Sequence, residues 1–324
     1  MKRLVIALAL VALGSPVAHS DSPLEETRVT LRQHILKLIN RDRQLYNLPP
    51  VELDIQTSAL ADEYCKLQLR NGTTGHFTTD GRAPYIRYSQ AGGNDGMSEN
   101  AAAWSASYRF SDRALYEMAR RSQDAMMAEV PPRDGHKRTI LDPNATHVGI
   151  GLAWEGGEFR MVHHFVRRYV DWTRTLPRKA TIGEQIIAAG RPLPGSRIEA
   201  ISVHHEPMPE TMPATVANAI EVYSLPDKRK DFLPRLKSSY TRRNDGTIEI
   251  VRREYSDGRR GDFYLAEDGS FSFNVPFTDG AGVYTVVVWV RKDGGQPIPA
   301  SNVAILVDAP VETYRTSVIG GGTR

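Results

Sequence analysis

"DGHKRTILDPNATHVGIGLAW", residues 134–154, holds the point at which the chain changes its period. Asp134-Gly135 is turn chemistry, so His136 leaves a tight bend. Thr139, Ile140 and Leu141 read as a buried stretch, and Asp142-Pro143 turns again. Val148, Ile150, Leu152 and Trp154 then alternate, as in a strand buried on one face. Glu155-Gly156-Gly157-Glu158 is a hairpin turn, and Phe159 to Arg168 is the returning strand.

Upstream of this hairpin the period is helical. Leu31, Ile35, Leu38 and Ile39 make one apolar stripe in a helix over 24–46, which Pro49-Pro50 ends. Asp54 caps a second helix whose inward residues include Leu60, Ala61, Tyr64 and Leu67, and Asn71-Gly72 closes it. Residues 72–98 read as loop, with one short helix around Tyr85 to Ser89. A further helix spans 111–129, starting at Ser111 or Asp112. Helices and loops followed by an antiparallel hairpin, without βαβ repeats, give a layered α+β first half, expected over 21–172.

Downstream, residues 173–196 are rich in proline and glycine and read as a linker. Strands dominate after it: Arg197–His204, Thr247–Arg253, Gly261–Leu265, Ser270–Phe277, Val283–Val290 and Asn302–Val307. Turns such as Asp257-Gly258 and Asp268-Gly269 separate them. Short strands at this spacing predict an all-β, immunoglobulin-like sandwich over 197–310. The glycine-rich end, 311–324, reads as a disordered tail.

Of the 324 residues, the first twenty have the form of an export signal: Lys2-Arg3, an apolar run from Leu4 to Leu13, and Ala18-His19-Ser20 at the cleavage position. No later stretch is apolar enough for a membrane helix. A secreted or periplasmic location follows as the expectation. The net charge of +3 points to no particular partner. The stretch 226–260 is basic, but its interleaved acids suit solvated faces, and no aromatic–basic pattern specific for nucleic acid is present. The single cysteine, Cys65, excludes an internal disulfide, and its helical surroundings predict a buried, inert thiol.

Polar chemistry collects in three stretches: "NGTTGHF" with His76, "MSENAAAW" with Glu99 and Asn100, and "MMAEVPPRDGHKRTIL" with Glu129 and His136. Spacing alone does not bring them together. Taken singly, His136 could brace its turn through a carbonyl, and Glu99 could be a structural acid satisfying loop amides. His163-His164 and His204-His205 sit on strands, where neighbouring side chains point to opposite faces, so neither pair chelates one ion unaided. One alternative turns one of His163 and His164 to the cleft side; core or surface satisfaction is the preferred reading for both.

From about Leu38 to Tyr169 the chain resembles the CAP superfamily (cysteine-rich secretory proteins, antigen 5 and pathogenesis-related 1) in its bacterial secreted form. The resemblance is carried by "LINRDRQLYNLPPVELDIQTSALADEYCKLQLRNGTTGHF", by "SENAAAW" and by "DGHKRTILDPNATHVGIGLAW". It implies an α-β-α sandwich with a central cleft faced by two histidines and two acids. His76, Glu99 and His136 match motif positions. Glu129 is the fourth member, with Glu117 as the alternative, because Met126 stands where the family usually has a tryptophan three residues before its second acid. Ser98 replaces the usual glycine. Such a group suits a divalent cation, zinc first, with Zn–N near about 2.0–2.1 Å, and Glu99 or Glu129 could instead stand behind the histidines as acceptors. The expected function is binding of a cation and/or an extended lipid, peptide or glycan at the cell envelope. The alternative is a hydrolase using His76, Glu99, Glu129 and His136 on an ester or peptide.

Overall fold

The computed structural model describes residues 23–292 and 294–310. The expected export signal and the expected disordered tail lie outside them. The first half contains α1 (Pro23–Leu45), β1 (Glu52–Leu53), α2 (Ile55–Asn71), α3 (Pro84–Gln90), β2 (Gly96–Ser105), α4 (Asp112–Ala128), α5 (Gly135–Ile140), β3 (His147–Glu155) and β4 (Glu158–Arg167). Its sheet has the order β1-β3-β4-β2. Asp54 caps α2 by accepting from the Thr57 amide, and Ser111 caps α4 through Ala114.

The alternation read in 148–154 builds three layers. Val148, Ile150 and Leu152 face α1, α4 and α5, packing with Leu31, Ile35, Leu115 and Ile140. The other face of β3 carries Gly149 and Gly151, and α2 lies directly on them. A β-carbon at Gly149 would sit 2.4 Å from the Thr57 side chain, and one at Gly151 would sit 2.3 Å from the Ala61 backbone. Helix α2 packs there with Ala61, Tyr64, Ala153 and Val162. Cys65 is wholly buried in that layer, and burial pushes its thiol well above the ordinary value.

Two elements differ from the sequence reading. Gly135–Ile140 is a short helix rather than a turn and a buried run; Ile140 alone of Thr139, Ile140 and Leu141 is fully buried. The run from Gly96 to Ser105, read as loop and small residues, is the strand β2. Its alanines carry little strand propensity, and pairing along the whole of β4 supplies what propensity does not.

The second half contains β5 (Val170–Arg174), β6 (Lys179–Thr181), β7 (Ile186–Pro192), β8 (Ser196–Glu206), α6 (Ala214–Ala219), β9 (Arg229–Phe232), β10 (Ser239–Arg242), β11 (Ile248–Val251), β12 (Tyr264–Leu265), β13 (Phe271–Val275), β14 (Gly282–Lys292), β15 (Pro297–Pro299) and β16 (Val303–Asp308). One sheet is β12-β13-β7-β5, the other β6-β16-β14-β8-β9 with β15 on β14. They enclose one core, with Ala188, Phe271 and Phe273 facing Ile201, Val286 and Val288. The chain enters through β5 in one sheet and crosses to β6 in the other, where it runs parallel to the last strand, β16. Near the start of β14, the Tyr284 hydroxyl donates to the Gly280 carbonyl at 2.8 Å and accepts from the Asp279 amide at 2.8 Å. Strand order and tyrosine corner together define an immunoglobulin-like sandwich, here without cysteines.

The linker expected over 173–196 is therefore corrected: β6, β7 and the end of β5 lie in it, so the sandwich begins near Val170. Proline and glycine mark strand ends and an edge here, not a spacer. Of the strand expected at Thr247–Arg253, Ile248–Val251 is strand, but it belongs to a separate two-stranded hairpin with β10.

The halves share an apolar interface of Ala83, Tyr85, Ile86, Val283 and Ala304. Ser89 Oγ donates to the Asn302 carbonyl at 3.1 Å and accepts from the Ala304 amide at 2.9 Å, which ties α3 to β16.

Candidate functional site: a histidine–glutamate cleft at a sheet edge

Strand β2 is an edge of the first sheet, and a cleft of about 920 Å³ runs beside it. His76 comes from the loop after α2, and Glu99 from β2 itself. Directly opposite Glu99 on β4 is His164. The Glu99 carboxylate is almost wholly buried and fully engaged: Oε1 meets His76 Nδ1 at 2.9 Å, Oε2 meets His164 Nε2 at 2.9 Å, and Arg87 Nη2 lies 3.2 Å from each oxygen. Burial alone would raise its pKa; the Arg87 guanidinium and the hydrogen bonds from His164 and His76 hold it well below the usual carboxylate range. An ionised carboxylate only accepts, so the ring nitrogen of each histidine that faces it carries the proton. In the neutral form of His76, Nε2 is then the nitrogen that keeps its lone pair.

The other pair forms at the start of α5. Glu129 accepts from the His136 amide at 2.9 Å with Oε2, which also takes the Lys137 amide at 3.4 Å, while Oε1 meets His136 Nδ1. A carboxylate on the first amides of a helix satisfies donors that the helix leaves unpaired. The fully buried Arg43 anchors this region to α1, donating to the Ile140 carbonyl at 2.7 Å and the Asp142 carbonyl at 2.9 Å. Asn100 Nδ2 donates to the His136 carbonyl at 3.0 Å. The rings of His76 and His136 are stacked, with centroids 6.3 Å apart. Thus His76, Glu99, Glu129 and His136 are brought to one cleft. Glu117 is elsewhere, partly exposed on α4 and paired with Arg120 and Arg121.

Three participants were not singled out by sequence. Core or surface satisfaction is the preferred sequence reading of His164, with the cleft side as the alternative for one of the His163–His164 pair; the alternation along β4 decides between them, since His164 shares a face with Arg160 and Val162, opposite His163. His163 itself is wholly buried, and burial, followed by the nearby His136 and His164, pushes its pKa down to about 3. Arg87 on α3 donates to the His76 carbonyl at 2.7 Å as well as to Glu99. Tyr223 comes from the second half of the chain. Residues 207–228, between β8 and β9, form a strap across the first half. The Met212 amide donates to the Thr79 carbonyl at 2.9 Å, and Asn218 Oδ1 accepts from the Thr74 amide at 2.9 Å. Further along the strap, the Tyr223 hydroxyl accepts from the Glu99 amide at 2.6 Å and its ring lies against His76. Ile220, Glu221 and Val222 complete that wall.

A three-layer sandwich with two histidine–glutamate pairs meeting at the rim of its sheet is the class that fold and site define. Residues 36–169 match the model of the cysteine-rich secretory protein family, CAP. These residues are a CAP domain, and it is to that family that this part of the chain belongs. Among solved structures, the chain is similar to an extracellular protein containing an SCP domain from Bacillus anthracis str. Ames. The identity is 20%, over 42% of this chain and 40% of that one, with a TM-score of 0.33. The chain thus spans well under half of that relative's length, and a likeness of this size carries no argument. No curated protein matches the chain. No helix among the described residues is long and apolar enough to cross a membrane.

Proposed function

We propose that the chain is a secreted or periplasmic binding protein whose cleft takes up a divalent cation, zinc first, and beside it an extended ligand. The observation that carries this reading is the stacked pair His76 and His136, each with its own carboxylate behind Nδ1. That arrangement orients an imidazole and fixes the tautomer that turns Nε2 toward a cation. The donor set also limits the site. Among the described residues no three His, Cys, Asp or Glu side chains form a ready cluster. Glu99 has both oxygens engaged, so it supports His76 rather than ligating. Two imidazoles complemented by solvent fit an exchangeable ion better than a structural zinc. A bound cation would supply a Lewis-acid anchor for a carbonyl or carboxylate of the ligand, and His76 and His136 would hold it.

Groups suited to nucleophilic catalysis are poorly placed. Cys65 is buried, and the Ser98 hydroxyl accepts from Arg167 Nη2 at 3.0 Å, a contact that does not activate it. Titration of the purified chain with cobalt(II), followed by its visible spectrum, is the test. Binding of about one ion per chain, lost in both His76→Ala and His136→Ala, is expected. Cobalt binding unchanged in either variant would overturn the reading. Turnover in a broad esterase and peptidase screen, abolished by the same substitutions, would replace it with the hydrolase.

A further inference from the structure

The hydrogen-bond parity of the first sheet shows which of its backbone groups face the cleft. On β3 the Ile150 and Leu152 amides point away from β4, since they donate to Ser58 Oγ and Asp62 Oδ1. Gly149 and Gly151 therefore pair inward with His164 and Val162, which in turn turn their own backbone groups away from β2. Glu99 and Ala101, opposite those two residues, must then face outward. The Glu99 amide does so, on Tyr223. Successive outward residues on a strand are two apart, so the N–H and C=O of Ala101 and Ala103 point to the same side. Among the described residues no backbone partner meets them there. Ala101 lies on the cleft wall with Ser98, Glu99 and Asn100. The side chains of 101–103 are all methyl groups, too short to fold over the edge of the strand.

We propose that the extended ligand of this cleft is a peptide, which adds itself as a further strand to the outer edge of β2 by pairing with the N–H and C=O of Ala101 and Ala103. The proposal rests on the reading of the cleft as a binding site given above, and it names the ligand class. A lipid or a glycan cannot present donors and acceptors at the strand repeat; a peptide main chain does so whatever its side chains. Tyr223 occupies the Glu99 amide, so the added strand meets the hydroxyl of Tyr223 at one end and runs past the alanines at the other. His76 and His136 flank its path, and Ile220 to Val222 of the strap face it.

The test uses the full chain and an array of capped octapeptides of alternating polar and apolar residues. For the tightest binder, two analogues are made, N-methylated at odd or at even residues. Only one set of peptide amides faces β2, so one analogue is expected to bind at least about tenfold more weakly and the other to bind as the parent does. Analogues that behave alike overturn the proposal, as does an array with no binder at about 1 mM. Amide exchange gives a second readout that needs no variant. In the free chain the Ala101 amide is expected to exchange at least about a hundredfold faster than those of Asn100 and Ala102, which face β4, and to slow at least tenfold with the peptide bound. Slow exchange at Ala101 without peptide would show a closed edge and overturn the proposal. Ala101→Pro removes a donor that the sheet does not use, so it is expected to weaken the parent peptide at least about tenfold while the far-ultraviolet spectrum stays as in the parent chain. The cobalt titration needs no peptide, so a failure of the peptide proposal and a failure of the cation site read out separately.

Discussion

The two edges of the CAP sheet are treated in opposite ways. Along β3 the edge is closed. β1 covers its first residues, and beyond them Ser58 from α2 and Arg32 from α1 satisfy the outward amide and carbonyl of Ile150, and Asp62 from α2 satisfies the outward amide of Leu152. Arg32 and Asp62 also bond each other at 2.7 Å, so helices from opposite faces of the sheet meet around its rim. Along β2, among the described residues, the edge is satisfied only near its start. The Gly96 amide donates to the Ala300 carbonyl at 2.8 Å, Asn302 Nδ2 donates to the Met97 carbonyl at 3.0 Å, and Tyr223 takes the Glu99 amide. All three partners come from the second half of the chain. An edge strand left with free donors and acceptors is a liability that folds usually cover. Here the uncovered Ala101 lies on the wall of the cleft that holds the histidines, where the proposed peptide would begin to pair.

Breaking the closed edge is expected to have the largest effect. Asp62→Leu leaves Arg32 buried without its partner and strips the Leu152 amide, which costs about 3–5 kcal/mol of stability, read by urea unfolding. Tyr223→Phe sharpens the contrast at the other edge. It leaves the Glu99 amide without an acceptor, at a cost of about 1–3 kcal/mol. The same measurement checks it, with amide exchange at Glu99 accelerating as the edge opens further. The smallest effect at neutral pH concerns His163, which lies between the edges on β4. Its folded pKa of about 3 is below the ordinary value near 6.5, so the unfolded chain binds the extra proton between those values. Stability from the neutral ring is full above about pH 6.5 and is lost as pH falls toward 3. His163→Leu should accordingly gain in unfolding midpoint over the parent as the pH is lowered from 7 to 4.5; a difference independent of pH would show that the ring is not held neutral.

The contrast between edges also explains what could be read from the residues. The alternation of 148–154 and the capped helices were legible because each signal is local: apolar spacing, Asp54 and Ser111 as caps, Gly72 as a stop. Gly149 and Gly151 record the close seat of α2, a packing fact visible only in three dimensions. β2 was not legible, since alanine, serine and asparagine carry no strand signal and the strand exists through its partner. The same holds for β6 and β7, whose proline- and glycine-rich surroundings imitate a spacer. Around the cleft, His76, Glu99, Glu129 and His136 were reachable through family motifs. Arg87 and His164 lay within that resemblance but outside its quoted positions. Tyr223 was beyond reach for a different reason: it is 124 residues from the amide it meets, on a strap that belongs to the other fold.

That strap gives any occupant of the cleft a mechanical role. Because Ile220 to Tyr223 wall a hollow whose floor is β2, an occupant touching both would add a join between two folding units that already meet through α3 and β16, the start of β2 and the strap. By linkage, it would favour the state in which both are intact over states in which either has melted. A passenger carried there would act as a rivet, and its departure would loosen the joint between the halves as well as empty the hollow.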